Sequence, residues 1–362
     1  MNLIPTETQQ ERTIDHTILD PDALGPILTR RFKAYTPDLR RSIVQLATTA
    51  GLLMLLLVVM ALASQWSYWL TLLLAIPTSG LLVRLFIIQH DCGHGAFFRS
   101  RAANDFLGRA ISLLTLTPYA SWSLGHAAHH ASTGNLDRRG RGDVETWTVA
   151  EYQGAPALKK LSYRLYRNPL VMVILGAPIN FILLQRLPLG HAGRNRMCRR
   201  SILSLNLALV VAFGLACALI GISLVLLTYL PVIIIASWIG NWLFYVQHQF
   251  ESSGWERNSD WNFHVAALSG SSYFKLPAVL QWFSGSIGLH HVHHLCSRVP
   301  NYHLQACLES APELRLVTKV ITLRESVDCW QLALWDERRR LLVRFRDLSL
   351  PVLKDDDLKA CA

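Results

Sequence analysis

Charge is what this sequence has least of. Residues 42–83 and 201–250 contain no Asp, Glu, Lys or Arg, and charged residues fill only 17% of the 362 positions, against about 25% in ordinary soluble domains. With 51% apolar residues, a soluble globular chain is excluded and a multispan membrane protein is expected. A helix rises about 1.5 Å per residue and the hydrocarbon core is about 30 Å thick, so each charge-free block can cross twice. The expected fold is all-α and integral to the membrane: four transmembrane helices in two hairpins, interfacial helices and a cytoplasmic cap.

Other absences narrow the chemistry. The seven cysteines are scattered, odd in number and without a C-x-x-C pair, so no disulfide framework is implied. Residues 1–38 hold no apolar run with a cleavage site; no removable signal peptide is expected, and the first hairpin is expected to serve as its own insertion signal. No Glu-x-x-His occurs, which excludes the soluble four-helix di-iron carboxylate pattern. No His-Glu-x-x-His occurs either, so no such helix supplies the general base of a zinc protease. There is no internal sequence repeat and no low-complexity segment, and no nucleic-acid partner is expected.

What is present is histidine, in three clusters: His90-Asp91-Cys92-Gly93-His94, His126-Ala127-Ala128-His129-His130 and His290-His291-Val292-His293-His294. They hold nine of the fourteen histidines. The spacings, i and i+4 in the first and i, i+3 and i+4 in the others, put imidazoles on one face of a helix. Eight or nine imidazoles are too many for one ion, so two metals are the economical reading. Imidazole suits iron, zinc or copper, and ligand type leaves the metal open.

Topology follows from charge. Arg30, Arg31, Lys33, Arg40 and Arg41 precede the first apolar block, while the connection at 64–67 is uncharged, so the N-terminus is read as cytoplasmic. The second helix, about 69–89, then returns to the cytoplasm and delivers His90 and His94, with Arg84 snorkelling toward that interface. Residues 104–124, with Asp105, Arg109 and Pro118, read as an interfacial helix, and the polar stretch 134–167 as cytoplasmic. Parity decides the apolar stretch 169–184. If it crossed, the third cluster would lie across the bilayer from the first two, where it could share no metal with them. At about 16 residues it is also short of the ~20 a crossing needs, so it reads as interfacial or re-entrant. The basic loop with Arg194, Arg196, Arg199 and Arg200 then stays inside. The second hairpin, 202–246, turns near 221–223 and ends at Gln247-His248-Gln249, placing His248 at the cytoplasmic end. The domains expected are a cytoplasmic N-terminal segment (1–41), a membrane region carrying the first two clusters (42–248) and a cytoplasmic cap carrying the third (249–362).

The motifs H-D-C-G-H-G, W-S-L-G-H-A-A-H-H-A and G-L-H-H-V-H-H-L-C-S-R-V-P-N-Y, in this order, resemble the membrane fatty acid desaturases. Within that superfamily the chain is most similar to bacterial acyl-lipid desaturases, through Leu165-Tyr-Arg-Asn-Pro169, Phe244-Tyr-Val-Gln-His-Gln-Phe250 and Gly270-Ser-Ser-Tyr-Phe-Lys-Leu-Pro277. The resemblance runs over about residues 19–348. It implies a non-haem centre of two iron ions on the cytoplasmic side of, in a bacterium, the inner membrane. It also implies O2 as oxidant and removal of two hydrogens from a methylene pair of a membrane-lipid acyl chain, leaving a cis double bond. Carried over by position, the ligands are His90, His94, His126, His129, His130, His290, His293 and His294. His248 is a ninth by similarity to relatives that add one histidine from the end of the fourth span. No catalytic residue beyond the ligands is implied. A related hydroxylase or acetylenase, or a desaturase of a specialised or carrier-bound acyl chain, would use the same ligands. A different class, a non-catalytic membrane metal-binding protein, would hold zinc and make no product.

The remaining candidates carry plainer expectations. His291, at a variable position of H-x-x-H-H, is expected to face solvent or to support a ligand from behind. For Asp91 and Asp143 two readings stay open: orienting an imidazole through its other ring nitrogen, or capping a loop. Cys92 and Cys296 are expected to pack. Among the lone histidines, His303 is a candidate support for the third cluster, while His16, His191 and His264 are read as surface or structural. Trp122, Tyr119 and Trp282 are placed at the membrane interface, with the lining of an acyl tunnel as the alternative. The charge run 336–340, with Arg344 and Arg346, reads as a solvated or lipid-facing surface. No cytochrome b5-like haem segment is present, so by analogy with bacterial relatives electrons would come from a ferredoxin or flavodoxin. The net charge of +10 suits both an acidic carrier and anionic lipid.

Overall fold

In the computed structural model, which describes residues 20–140 and 142–349, the chain is mostly helical. Helix α1 (Pro21–Phe32) is capped by Asp20 and buries Leu24, Leu28 and Phe32, one residue per turn along a single face. Asp38 caps α2 (Leu39–Ala63) by accepting from Arg41 N at 2.8 Å. Helix α3 (Tyr68–His94) runs back beside it: Thr71 Oγ1 donates to Met60 O at 3.4 Å at one end, and Ser42 Oγ to Phe97 O at 2.7 Å at the other. Most of α3 is buried, whereas α2 turns leucines and valines outward. Small and hydroxylated residues at 78–80 let α3 pack closely on its neighbours.

Residues 104–124, expected as one interfacial helix, fall in two: α4 (Arg101–Thr115) and α5 (Tyr119–His130), parted where Leu116 adopts a left-handed φ of 54° before Pro118. The polar stretch after α5 holds strand β1 (Trp147–Thr148), α6 (Val149–Gly154) and α7 (Ala157–Tyr166). Residues 170–186 then wind as π-helical turns, Leu170–Gly176 and Ile179–Leu183, tightening to 3-10 geometry at Leu184–Arg186. After the short α8 (Gly190–Arg194), Asn195 caps α9 (Arg196–Ile220), and Gly221, at φ 87°, turns the chain into α10 (Ile222–His248).

Five segments are long and apolar enough to cross a bilayer: Leu39–Ala63, Tyr68–His94, Leu170–Arg194, Arg196–Ile220 and Ile222–His248. This is one more than the sequence reading counted. Two contacts locate the additional one. Arg167, just before it, donates to Gln249 Oε1 at 2.9 Å beside the end of α10, and Asn206 Nδ2 of α9 donates to Arg186 O at 2.8 Å. Residue 206 follows Ser201, whose Oγ accepts from Ala120 N of α5.

Beyond α10 the chain is not all helix, which corrects the all-α expectation. With α11 (Phe263–Ser269), α12 (Ala278–Phe283) and α13 (His290–Leu295) come β2 (Tyr273–Lys275), β3 (Val320–Thr322), β4 (Leu332–Asp336) and β5 (Leu341–Arg344). Strands β2 and β3 pair in parallel, while β4 lies between β1 and β5. The charge run is the turn of the β4–β5 hairpin: Asp336 accepts from the backbone of Arg338 and Arg339, and Arg257 bridges Glu337 and Asp137.

Candidate metal centre

Four elements bring the histidines together: the last turn of α3, the second half of α5, the last residue of α10 and α13. Helix α3 keeps His90 and His94 one turn apart and stops at Gly95, whose φ of 67° suits glycine. Before α13, Gly288 lets the chain lie against β2; a Cβ there would sit 2.4 Å from Phe274 O.

The side chains sort into two groups. One holds His90, His94, His126, His130 and His293; the other holds His129, His248, His290 and His294. In each of the last two clusters the i and i+4 members join one group while the i+3 member swings to the other, about 100° round the helix from its i+4 neighbour. Nε2 atoms meet at hydrogen-bond range in both groups: 2.9 Å for His90 and His126, 3.1 Å for His126 and His130, and 3.0 Å for His130 and His293. In the second group the distances are 3.1 Å for His129 and His248, 2.9 Å for His248 and His290, and 3.1 Å for His290 and His294.

His129 Nδ1 faces Asp143 Oδ1, and His248 Nδ1 donates to Gly270 O at 3.3 Å. With Nδ1 engaged from behind, each of these two rings presents Nε2 to the group, the arrangement of a histidine that ligates through Nε2. Donors at right angles about 2.1 Å from a metal lie ~3.0 Å apart, so the spacing fits ions held by several imidazoles. Burial, reinforced by the neighbouring imidazoles, holds His126, His130, His290, His293 and His294 well below the usual histidine range. Their rings are therefore neutral, the form that binds metal.

Behind His90, Nδ1 lies 3.3 Å from Asp91 Oδ1. Asp91 Oδ2 accepts from Asn301 N and Nδ2, and Asn301 Oδ1 accepts from Gln45 Nε2 at 2.8 Å, which ties α2, α3 and the segment after α13 together. On the other side the histidines border a cavity of about 880 Å³, mostly apolar, running along α10 from Gln247 to Ile233 and walled by α3, α5 and the 171–192 stretch. His90, His126 and His290 stand at its wall with Trp122, which stacks on His126 at 4.6 Å.

The fatty acid desaturase family model matches residues 64–316, a stretch that contains all nine histidines. The chain belongs to the fatty acid desaturase family. It is 42% identical over 327 residues to a fatty acid desaturase of Bacillus subtilis, covering 90% of this chain and 92% of that one. It is also 27% identical over 245 residues to the sn-1 oleoyl-lipid 12-desaturase of Synechocystis sp., covering 65% and 66%. The sn-1 acyl-lipid omega-3 desaturase (ferredoxin) of Synechocystis sp. is 28% identical over 239 residues, covering 62% and 63%. The protein is thus a fatty acid desaturase, an oxidoreductase, with membrane helices and histidine groups suited to metal.

Within this desaturase the sequence-expected residues are placed as follows. All nine histidines expected as ligands converge. His291 belongs to neither group and, contrary to the solvent-facing expectation, is 1% exposed and packs near Tyr273. Asp91 and Asp143 both take the imidazole-facing position. Cys92 and Cys296 are buried. Trp122 lines the cavity; Tyr119 does not, being buried with its hydroxyl shared between two acceptors, Cys92 O at 2.8 Å and Asp105 Oδ1 at 3.0 Å. Trp282 is partly exposed, with the Arg84 guanidinium over its ring at 4.3 Å. His303 packs on Tyr35, His264 contacts Phe263 and His191 is exposed, none of them in a group; His16 lies outside the described residues. Sequence reasoning missed Asn301, Gln45 and the Gly270 carbonyl. Only the Pro-Asn-Tyr stretch beside the third cluster hinted at the first of these.

Proposed function

We propose that the nine histidines are the ligands of two iron ions, five around one and four around the other. The desaturase then acts with O2 on acyl chains of membrane lipids: a methylene pair, O2, two protons and two electrons give a cis alkene and two waters. The observation that carries this reading is the long apolar cavity reaching His90, His126 and His290. Bound iron supplies the oxidising chemistry toward O2 that no side chain offers for an unactivated C–H bond. The chain's own residues position and exclude. Phe86, Trp122, Leu243 and Phe244 wall off water and hold the methylenes beside the histidines. Asp91, Asp143 and the Gly270 carbonyl fix the ring orientations.

The electron donor is a ferredoxin or flavodoxin docking on the basic cytoplasmic face; one relative's name includes ferredoxin. The site lies on the cytoplasmic side of a bacterial inner membrane. Four helices cross, and the Leu170–Arg194 stretch is re-entrant. That reading is supported by the bond from Arg167, just before the stretch, to Gln249 and by the bond from Asn206 to Arg186 O within it, both toward the histidine-bearing ends of the hairpins. Residues 1–41 and 249–362 are the cytoplasmic parts flanking the membrane region 42–248.

The test is lipid profiling of a desaturase-free bacterial host expressing this chain, with double-bond derivatisation and a His293→Ala control. New alkenes absent from the control are expected. With expression, iron loading and an electron donor verified, the absence of any new alkene would reject membrane acyl chains of that host as substrate.

A further inference from the structure

Arg186 carries a guanidinium whose three nitrogens are all buried and have no hydrogen-bond partner. It sits in the apolar 170–194 stretch, where Leu183, Leu184 and Leu187 are exposed. An unpaired buried cation in such a segment is costly and marks a place for an anion. Other buried polar atoms without a partner lie on the same stretch and on α9 and α10, which pack against it. Gln185 Oε1 is buried without a partner, as are Asn206 Oδ1, on the side chain that bonds Arg186 O, and Asn241 Nδ2. Gln185 and Asn241 both line the cavity, as do Leu184 and Leu187 on either side of the pair.

Depth favours a lipid headgroup. Residue 206 is six positions past Arg200, the last charged residue of α9, or about 9 Å along the helix. An arginine stem can span much of that distance toward the interface. Asn241 precedes His248 by seven residues, about 10 Å, and the cavity continues between them. Guanidinium matches phosphate oxygens in a two-point fork, and an amide N–H suits an ester carbonyl.

Resting on the desaturase reading above, we propose that Arg186 binds the phosphate of a phospholipid substrate where this stretch meets α9. Asn241 then donates to the acyl ester, and the acyl chain runs along α10 to the histidines. The enzyme accordingly prefers phosphate-bearing lipids to uncharged ones with the same chains.

Purified enzyme in neutral detergent, with an electron-donating system, is given phosphatidylglycerol, a monogalactosyl diacylglycerol of the same acyl composition, and an acyl thioester on acyl carrier protein. Phospholipid retained through purification is counted by native mass spectrometry. Arg186→Gln lowers the ratio of phosphatidylglycerol to galactolipid conversion about tenfold or more, through KM rather than kcat, and lowers retained phospholipid. Arg186→Lys restores part of both, because it keeps the charge and loses the fork. An unchanged ratio and unchanged retention in Arg186→Gln overturn the inference, and so does an effect confined to the carrier thioester. Retention needs no turnover, so it decides this point even if wild-type enzyme makes no alkene, a result that would strike the desaturase reading instead.

Discussion

Asp91 receives two hydrogen bonds from Asn301, one from the backbone N–H at 2.7 Å and one from Nδ2 at 2.8 Å. Its other oxygen faces the Nδ1 of His90. Asn301→Ala removes the side-chain donor and strands Gln45 Nε2, so His90 loses part of its orientation. Metal affinity is expected to fall about 10- to 100-fold while the protein stays in the membrane fraction. Metal retained against a graded chelator series measures this; a wild-type retention curve would refute the positioning role.

The two histidine groups are separable by count. His248→Ala depletes the four-membered group and His94→Ala the five-membered one. Each variant is expected to retain about one equivalent of metal where the wild type retains two, and each to lose desaturation by at least ~100-fold. Elemental analysis of purified protein decides it. Loss of both equivalents in either variant would show that the groups do not load independently.

Gly240 lines the cavity, and a Cβ placed on it meets nothing within 4 Å. Gly240→Leu therefore fills acyl space without a clash at the first carbon, and a helix interior favours Leu over Gly. Conversion of longer chains is expected to drop several-fold more than that of shorter ones, at unchanged metal content. The chain-length profile of the unsaturated products is the readout.

Acid sensitivity follows from burial. Burial pushes His291 down to about 3, and His126, His130, His290, His293 and His294 also lie well below the ordinary value. An unfolded histidine takes up its proton near pH 6.5. Between that pH and the folded values the unfolded chain binds more protons, so stability is lost as pH falls and is complete above pH 6.5. Each such group contributes up to about 1.4 kcal/mol per pH unit. Thermal unfolding of metal-free protein from pH 7.5 to 5.5 should show the slope. His291→Leu should make it shallower while keeping metal and most activity.

The hairpins were legible because uncharged runs of some forty to fifty residues admit few other structures in water or lipid. The convergence of the nine histidines was legible because helical spacing advertises a shared face. Their sorting was not: whether His129 sits with His126 or with His248 depends on how α5 lies against α10, a packing angle that no local pattern encodes. The Gln45–Asn301 link joins residues 256 positions apart through two amides, a residue type with many uses. Strands β1, β2 and β3 escaped notice because they have two, three and three residues, too short for alternation to register, and β4 and β5 because consecutive residues are buried, which hides the alternation. The 170–194 stretch stayed ambiguous because π-helical turns carry the same apolar composition as an α-helical span.

Helix α13 supplies members to both histidine groups, His293 to one and His290 and His294 to the other. The five-membered set lacks a donor until residue 293 has left the ribosome and the four-membered set until residue 294, by which time every membrane helix has already been synthesised. On the proposed function, metal capture follows the synthesis of every membrane helix, and a nascent chain stalled before α13 would carry the first two clusters as open, competing chelators. Metal occupancy would in this sense be a proofreading mark, acquired only by a chain translated through α13 and docked.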